Sequence, residues 1–503
     1  MSRMMVVALG LLLAMRPAVA MAGADEATLV DAVKHLGRQA VSAMLARHAD
    51  ANAADVDGTT ALHWAARGSD PAMVKLLVGA GANVSAANRY GVKPLSLACE
   101  AGNAAVVDLL LGGGADPNTT STEGETALMT AARSGSVESV NLLIARGAAV
   151  NAKETWRGQT ALMWAAANGY AGVVQSLIAH GADIHARSNG GFTPLLFAVR
   201  EGRLNAVRTL LDAGATANES LLPPARRTAE GTEPAPAPET GLTALLVAVG
   251  SGHFELAAFL LDRGADANAA PQGWTALHQL SWVRKTGVAG SNNPPPQGSG
   301  TMSSLELARR LIAHGANADA RVTRRPPAGI TRLNFIGGTP FLLAARTADA
   351  DYMRLLASLG ANPRLPNADE STPLIVAAGL GTAAPGEDPG TEPEVLEAVK
   401  VALELGNDIN AVDNHGETVM HGAAYKHVPS VVEYLAGAGA KIDVWNHWNA
   451  DGRTPLDITI GIPSSMSIIR SAVTEATIRN VMLREGVTPP PPSASAPKTS
   501  SRP

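Results

Sequence analysis

The chain has 503 residues, with 46% apolar residues, 4% aromatic residues, 50 glycines and 32 prolines. This apolar content excludes general disorder, and it predicts close packing of Ala and Leu between frequent turns. The net charge of −5 excludes a strongly basic nucleic-acid-binding protein, and the single cysteine, Cys99, excludes a disulfide framework, a Cys-rich zinc site and an iron–sulfur cluster.

Residues 1–22 are typical of a secretory signal peptide. Arg3 provides a basic start, and Met4–Met15 is a 12-residue apolar run, too short to span a bilayer. Small residues near the end of the segment allow cleavage after Ala20 or Ala22, so we expect an exported protein, periplasmic or secreted, with no membrane span in the mature chain. The alternative is that this segment is a buried or anchoring helix.

One seven-residue motif recurs along most of the chain, and the first five copies begin 33, 33, 34 and 33 residues apart. A second signature, such as GADIHA at 181–186, follows many copies. The copies of the first motif are TALHWAA at 60–66, KPLSLAC at 93–99, TALMTAA at 126–132, TALMWAA at 160–166, TPLLFAV at 193–199, TALLVAV at 243–249, TALHQLS at 275–281, TPFLLAA at 339–345, TPLIVAA at 372–378, TVMHGAA at 418–424 and TPLDITI at 454–460.

These motifs resemble the ankyrin repeat, over about residues 25–460. Thr is a good helix N-cap, Pro fits the first helical turn, and the Ala pair lets a neighbouring helix approach closely. Glycines such as Gly135 and Gly147 are expected to end the first and second helices in a left-handed conformation. The resemblance implies an all-α ankyrin-repeat solenoid of about ten helix–turn–helix units with hairpin fingers, of the secreted or periplasmic bacterial type.

The repeat boundaries predict the domain organisation. Residues 25–55 are a divergent N-terminal capping repeat, 56–450 are the repeat array, and 452–485 are a C-terminal capping unit. The Pro-rich residues 487–503 are predicted to be a disordered tail. Longer steps between motifs indicate four insertions, which are predicted to be solvated loops. They are 219–239, 285–303, 321–336 and 382–393. The alternative is that two of them, 219–239 and 321–336, widen a partner-binding surface.

The sequence carries none of the common catalytic or phosphate-binding motifs, so we expect no enzyme activity, no cofactor and no metal. His63, His278 and His421 share one motif position, and by resemblance to ankyrin repeats each ring hydrogen-bonds the backbone of the adjoining unit. Cys99 replaces the second Ala of a packed motif, which predicts a buried structural thiol.

Aromatic and arginine residues near the fingers are the candidate partner-binding residues, because Trp, Tyr and Arg are common binding hot spots. Trp156 and the Trp445–Trp448 pair are the rings that we expect to be partly exposed. The alternative is that each ring packs against its own neighbouring finger. The candidates are Arg89, Tyr90, Trp156, Arg157, Trp164, Trp445, His447 and Trp448.

The resemblance implies a non-catalytic scaffold that binds another protein through its concave face and finger tips. We expect a monomer, and the net charge argues against nucleic-acid binding. Two alternatives stay open. One is a glycan- or small-ligand-binding module that uses the finger Trp residues, and the other is an accessory subunit of an exported enzyme.

Overall fold

The computed structural model describes residues 28–221, 241–285, 294–326, 331, 333–463 and 468–491. The predicted signal peptide at 1–22 lies outside the described residues. So do most of the insertion at 219–239 and the last twelve residues of the predicted tail. The described tail residues 487–491 follow the last helix, where the backbone N–H of Val487 donates to the carbonyl of Met482 over 2.9 Å.

Contacts within the chain define two compact units, residues 1–122 and 123–503. The described part of the first unit begins with a π-helical segment, Ala32–Leu36, flanked by short helices, and continues as two helix pairs. Its α-helices are α1 Leu29–Asp31, α2 Arg38–Ala46, α3 Ala61–Arg67, α4 Pro71–Gly79, α5 Pro94–Glu100 and α6 Ala104–Gly112.

The second unit is a longer series of helix pairs. Its only strands in the described ranges are β1 (Ile462–Pro463) and β2 (Ile468–Ile469), which pair antiparallel. Its helices are α7 Ala127–Ser134, α8 Val137–Ala145, α9 Ala161–Asn168, α10 Ala171–Ala179, α11 Pro194–Arg200, α12 Leu204–Asp212, α13 Ala244–Gly250, α14 Phe254–Asp262, α15 Ala276–Val283, α16 Ser304–Ala313, α17 Pro340–Arg346, α18 Ala350–Ser358, α19 Pro373–Ala378, α20 Glu392–Glu404, α21 Val419–Lys426, α22 Pro429–Gly437, α23 Ile442–Trp445, α24 Pro455–Ile460 and α25 Ala472–Arg484.

The repeated motif forms the first helix of each pair, and its Thr, its Ala pair and the glycine that follows explain where the helix begins, how it packs and where it ends. In α7, the hydroxyl of Thr126 caps the helix by accepting the backbone N–H of Met129 over 3.2 Å. Gly135 ends the helix with φ of 83°, a left-handed conformation that other residues adopt at a cost. Ala131 and Ala132 are fully buried, so their small side chains set the close approach of the next repeat.

The helix pairs stack in register within the second unit. First helices pack on first helices, as α9 does on α7 and α11, and second helices pack on second helices, as α10 does on α8 and α12. The apolar residues Leu128, Val140, Leu143, Leu162 and Val174 of these helices are at most 1% exposed. Each pair therefore buries its apolar face against its neighbours, as expected for a repeat solenoid, and the all-α fold prediction is confirmed.

A row of asparagines links successive repeats at the turns that follow the second helices. The side-chain amide of Asn151 donates to the Gly181 carbonyl over 2.9 Å and accepts the backbone N–H of Asp183 over 2.8 Å. Asn218 and Asn268 make the same pair of bonds to the repeats that follow them. These asparagines belong to the second signature of the sequence, and they fix the register of neighbouring repeats.

No helix in the described ranges is both long enough and apolar enough to cross a membrane.

Candidate protein-binding surface

The Trp156 finger, residues 153–159, is held rigid by one buried carboxylate. Glu154 is 8% exposed, and its carboxylate accepts the backbone N–H groups of Trp156, Arg157 and Gln159 over 2.7 to 2.9 Å. The next finger adds a further restraint, since the backbone N–H of Asn189 donates to the Arg157 carbonyl over 2.7 Å. The conformation of this finger is therefore fixed before any partner binds.

This finger presents a tryptophan and an arginine to solvent. Trp156 is 70% exposed, and the guanidinium carbon of Arg157 lies 4.3 Å from the centre of its ring. A cation above an aromatic face is favourable, and it reduces the conformational freedom of both side chains. Trp156 and Arg157 thus form a rigid, exposed pair, as the sequence predicted for Trp156.

Tyr90 and Arg89 form a similar pair in the first unit. The Asn88 side chain accepts the backbone N–H groups of Tyr90 and Val92, each over 3.0 Å. Tyr90 is 59% exposed, and the Arg89 guanidinium donates to its hydroxyl over 2.9 Å. The turn again has a polar side chain at its base and an aromatic ring at its tip.

Trp164 lies on α9 and is half-buried. The guanidinium carbon of Arg133 lies 5.3 Å from the centre of its ring, and Arg133 also pairs with Glu125 over 3.2 Å. Trp164 is therefore a ring on the row of first helices that Arg133 partly covers.

The expectation that Trp445 is partly exposed is wrong. Trp445 is 2% exposed, because residues Ile442–Trp445 form the helical turn α23 and the ring is packed into the protein interior. The sequence analysis expected both rings of the Trp445–Trp448 pair to be partly exposed, but only Trp448, at 74%, is largely exposed. Trp448 borders an open cleft of about 500 Å³ that Leu456 and Met482 also line.

His447 is half-buried, and its ring centre lies 5.6 Å from that of His421. Two further aromatic rings, Trp274 and Phe335, are 7% and 5% exposed, and Trp274 contacts Trp282 edge to face at 5.5 Å. For these buried rings the structure favours the alternative of packing within the protein. The candidates that remain accessible are Arg89, Tyr90, Trp156, Arg157 and Trp448, with Trp164 and His447 partly covered.

The predicted role of the motif histidines is confirmed. In His278, Nδ1 accepts the backbone N–H of Thr275 over 3.1 Å, and Nε2 donates to the carbonyl of Gly338 in the adjoining repeat over 3.2 Å. His63 and His421 make the equivalent bonds to the carbonyls of Val92 and Arg453. Burial lowers the pKa of His278 and of His421 to about 4, so both rings are neutral structural bridges at pH 7.

Within the described ranges, no three His, Cys, Asp or Glu side chains are grouped so that they could hold a metal ion. Cys99 is fully buried, as expected for a structural thiol, and burial raises its pKa to about 12. A thiol in that state is a poor nucleophile.

The sequence analysis missed the residues at the base of the fingers. Glu154 and Asn88 position the exposed rings, and Asn367, Asp413 and Asn449 anchor the corresponding turns of later repeats. The available signal was a polar residue two positions before each finger tip, next to a glycine-containing turn.

The family described as "Ankyrin repeats (3 copies)" matches residues 29–121, 97–188 and 128–220, and the single "Ankyrin repeat" matches residues 240–270. No curated protein matches the chain. Ankyrin repeats are in general protein-interaction modules without catalytic activity. The recurring motif, the stacked helix pairs with their histidine bridges and the family matches together identify the chain as an ankyrin-repeat protein.

Proposed function

We propose that the chain is an exported, non-catalytic scaffold that binds another protein with its fingers and the exposed face of its first helices. The observation that carries this proposal is the Trp156 finger. The exposed Trp156 ring stacks with Arg157, and Glu154 fixes the backbone of the finger by accepting its N–H groups. Such a side chain loses little conformational freedom on binding, which is the property of an effective anchor.

The proposal predicts that Trp156→Ala weakens partner capture without unfolding the protein. Loss of a buried aromatic anchor costs about 2 kcal/mol, or roughly a 30-fold loss of affinity. The matched control is Val473→Ala on α25, since Val473 is 67% exposed but lies outside the fingers. Affinity for proteins of the native envelope fraction is measured beside the far-UV spectrum and the melting temperature. Unchanged affinity in folded Trp156→Ala contradicts the proposal.

A second variant separates the positioning of the Trp156 finger from the direct contact of Trp156 with the partner. Glu154→Ala leaves Trp156 and Arg157 in the chain but removes the acceptor of three backbone N–H groups, so the finger should lose its fixed conformation. We expect faster amide exchange at Trp156 and Arg157 together with weaker capture. Unchanged exchange in this variant would contradict the positioning role of Glu154.

Trp448 beside its cleft is the observation that favours a glycan-binding alternative, because sugar rings stack on exposed tryptophans. Titration with soluble glycans while Trp fluorescence is recorded distinguishes the two functions. A saturable change that Trp448→Ala abolishes supports glycan binding, whereas protein capture that responds to Trp156→Ala alone supports the scaffold.

Export is supported by the order of residues in 1–22: a basic start, an apolar core and small residues at its end. Mass spectrometry of the mature protein should find an N-terminus near Met21 or Gly23. An intact Met1 on protein recovered from the cytosol would contradict export.

A further inference from the structure

The segment between α19 and α20, residues 379–391, folds over two buried cations. Arg346 pairs with Asp388 over 2.9 Å, and the two side chains are only 11% and 12% exposed. Lys426, at the end of α21, is 4% exposed, and its ammonium group donates to the carbonyls of Asp388 and Pro389 over 2.8 Å each. Burying charged groups is costly, so packing alone does not explain why this segment encloses them.

The same segment forms one wall of a cavity of about 460 Å³, which we call the Lys426 cavity. Lys426 and Lys285 both line it, together with the N-terminal residues of α20. Lys285 pairs with Glu394 over 2.6 Å and is 24% exposed. Two ammonium groups from different repeats therefore border the same partly open cavity.

Two of the nearby carboxylates, those of Asp388 and Glu394, are already engaged with other groups. Asp388 accepts the Arg346 guanidinium and the backbone N–H groups of Ala383 and Ala384, and Glu394 accepts Lys285 and caps α20 through Thr391. An ammonium group has three N–H donors, and the two carbonyls engage two of those of Lys426. Burial, followed by the neighbouring Arg346, lowers the pKa of Lys426 to about 8. Asp388 and Glu394 act in the opposite direction on this pKa, so they compensate the positive charge of Lys426 only in part.

We propose that the Lys426 cavity binds a small organic carboxylate, whose negative charge is held by the ammonium groups of Lys426 and Lys285. A charge-assisted bond from the third N–H of Lys426 would compensate its buried charge. Four carboxylates also line the cavity, those of Glu387, Asp388, Glu392 and Glu394, so they repel a multiply charged anion such as phosphate more strongly than a monoanion. The volume lies within the range of small-ligand sites. This site is independent of the protein-binding surface.

The carboxylate has two sources, a free organic acid or the C-terminus of a peptide, and the experiment includes a probe for each. Full-length protein labelled with ¹³C in its lysine side chains is titrated with pH while the Cε signals are recorded by NMR. The chain has only nine lysines, so the signals are few. Titrations are run with propionate, N-acetylglycine, inorganic phosphate or sodium chloride at equal ionic strength. Lys426→Met assigns the signal, and Lys441→Met on the protein surface is the matched control.

An anion that contacts Lys426 stabilises its charged form, so its titration midpoint should rise by about 1 unit with propionate or N-acetylglycine relative to chloride. A rise with both probes indicates a free acid, and a rise with N-acetylglycine alone indicates a peptide C-terminus. An unchanged midpoint with both probes, or an equal rise with phosphate, overturns the proposal. If Lys426→Met does not fold, the wild-type titration still decides, because we expect the Lys426 signal to titrate near pH 8 in chloride.

Discussion

The buried histidine bridges predict that the protein loses stability between pH 7 and pH 5. His278 and His421 are both fully buried, and each Nδ1 accepts a threonine backbone N–H. A proton on that nitrogen removes the acceptor and places a charge in the apolar core. Lowering the pH therefore perturbs both sites at once.

The size of the effect follows from the pKa values. The pKa of each ring is about 4 in the folded protein, against an ordinary value of 6.5, so the unfolded chain binds more protons between these values. The contribution of each ring to stability is present above pH 6.5 and is lost as the pH falls toward 4. One pKa unit corresponds to about 1.4 kcal/mol, so each ring should lose about 2 kcal/mol between pH 7 and pH 5.

The assay is urea unfolding followed by far-UV circular dichroism at pH 7, 6 and 5. The comparison variant is His278→Leu with His421→Leu, since Leu196, Leu246 and Leu342 occupy the same helix position in other repeats. The wild-type midpoint should fall steeply toward pH 5, whereas the midpoint of the double variant should fall less. Parallel pH profiles for the two proteins would refute the assignment of this pH dependence to the histidines.

Two further predictions concern local packing. Gly135→Ala should destabilise the protein by at least about 1 kcal/mol, because φ is 83° and a Cβ would lie 2.9 Å from the Tyr170 ring. Gly437→Ala is the control and should not destabilise the protein, because no atom lies within 4 Å of the added Cβ. Equal melting temperatures for the two variants would contradict this account. Cys99 should resist alkylation by iodoacetamide at pH 8 in the native protein and react after unfolding. Mass spectrometry follows the labelling, and rapid labelling of the native protein would contradict the burial of Cys99.

The repeat architecture could be predicted from the sequence because each local signal agrees with the next. The Thr caps, the Ala pairs and the terminating glycines recur at equivalent positions in most repeats, and the motif histidines share one position in three of them, so an error at one repeat is corrected by the others. His278 illustrates this, since its bond to Gly338 spans a long insertion and yet follows the same rule as His63.

The exposure of individual rings could not be predicted in the same way. Trp445 and Trp448 are three residues apart, yet a single helical turn buries the first and leaves the second exposed. The Lys426 cavity was also unforeseen, because it depends on where an irregular segment places carbonyls around a lysine from another repeat. Such features arise from tertiary packing, and they have no periodic signature in the sequence.

The central claim is that the fingers contact a protein partner, and site-specific photo-crosslinking tests it most directly. A photoreactive phenylalanine analogue is placed at Trp156, or as a control at Glu138, an exposed residue of the second helix α8. The chain is then irradiated in cells that produce it naturally. We predict a discrete protein adduct from position 156 and none from position 138. Adducts from position 138 alone, or equal adducts from both positions, would contradict binding through the fingers.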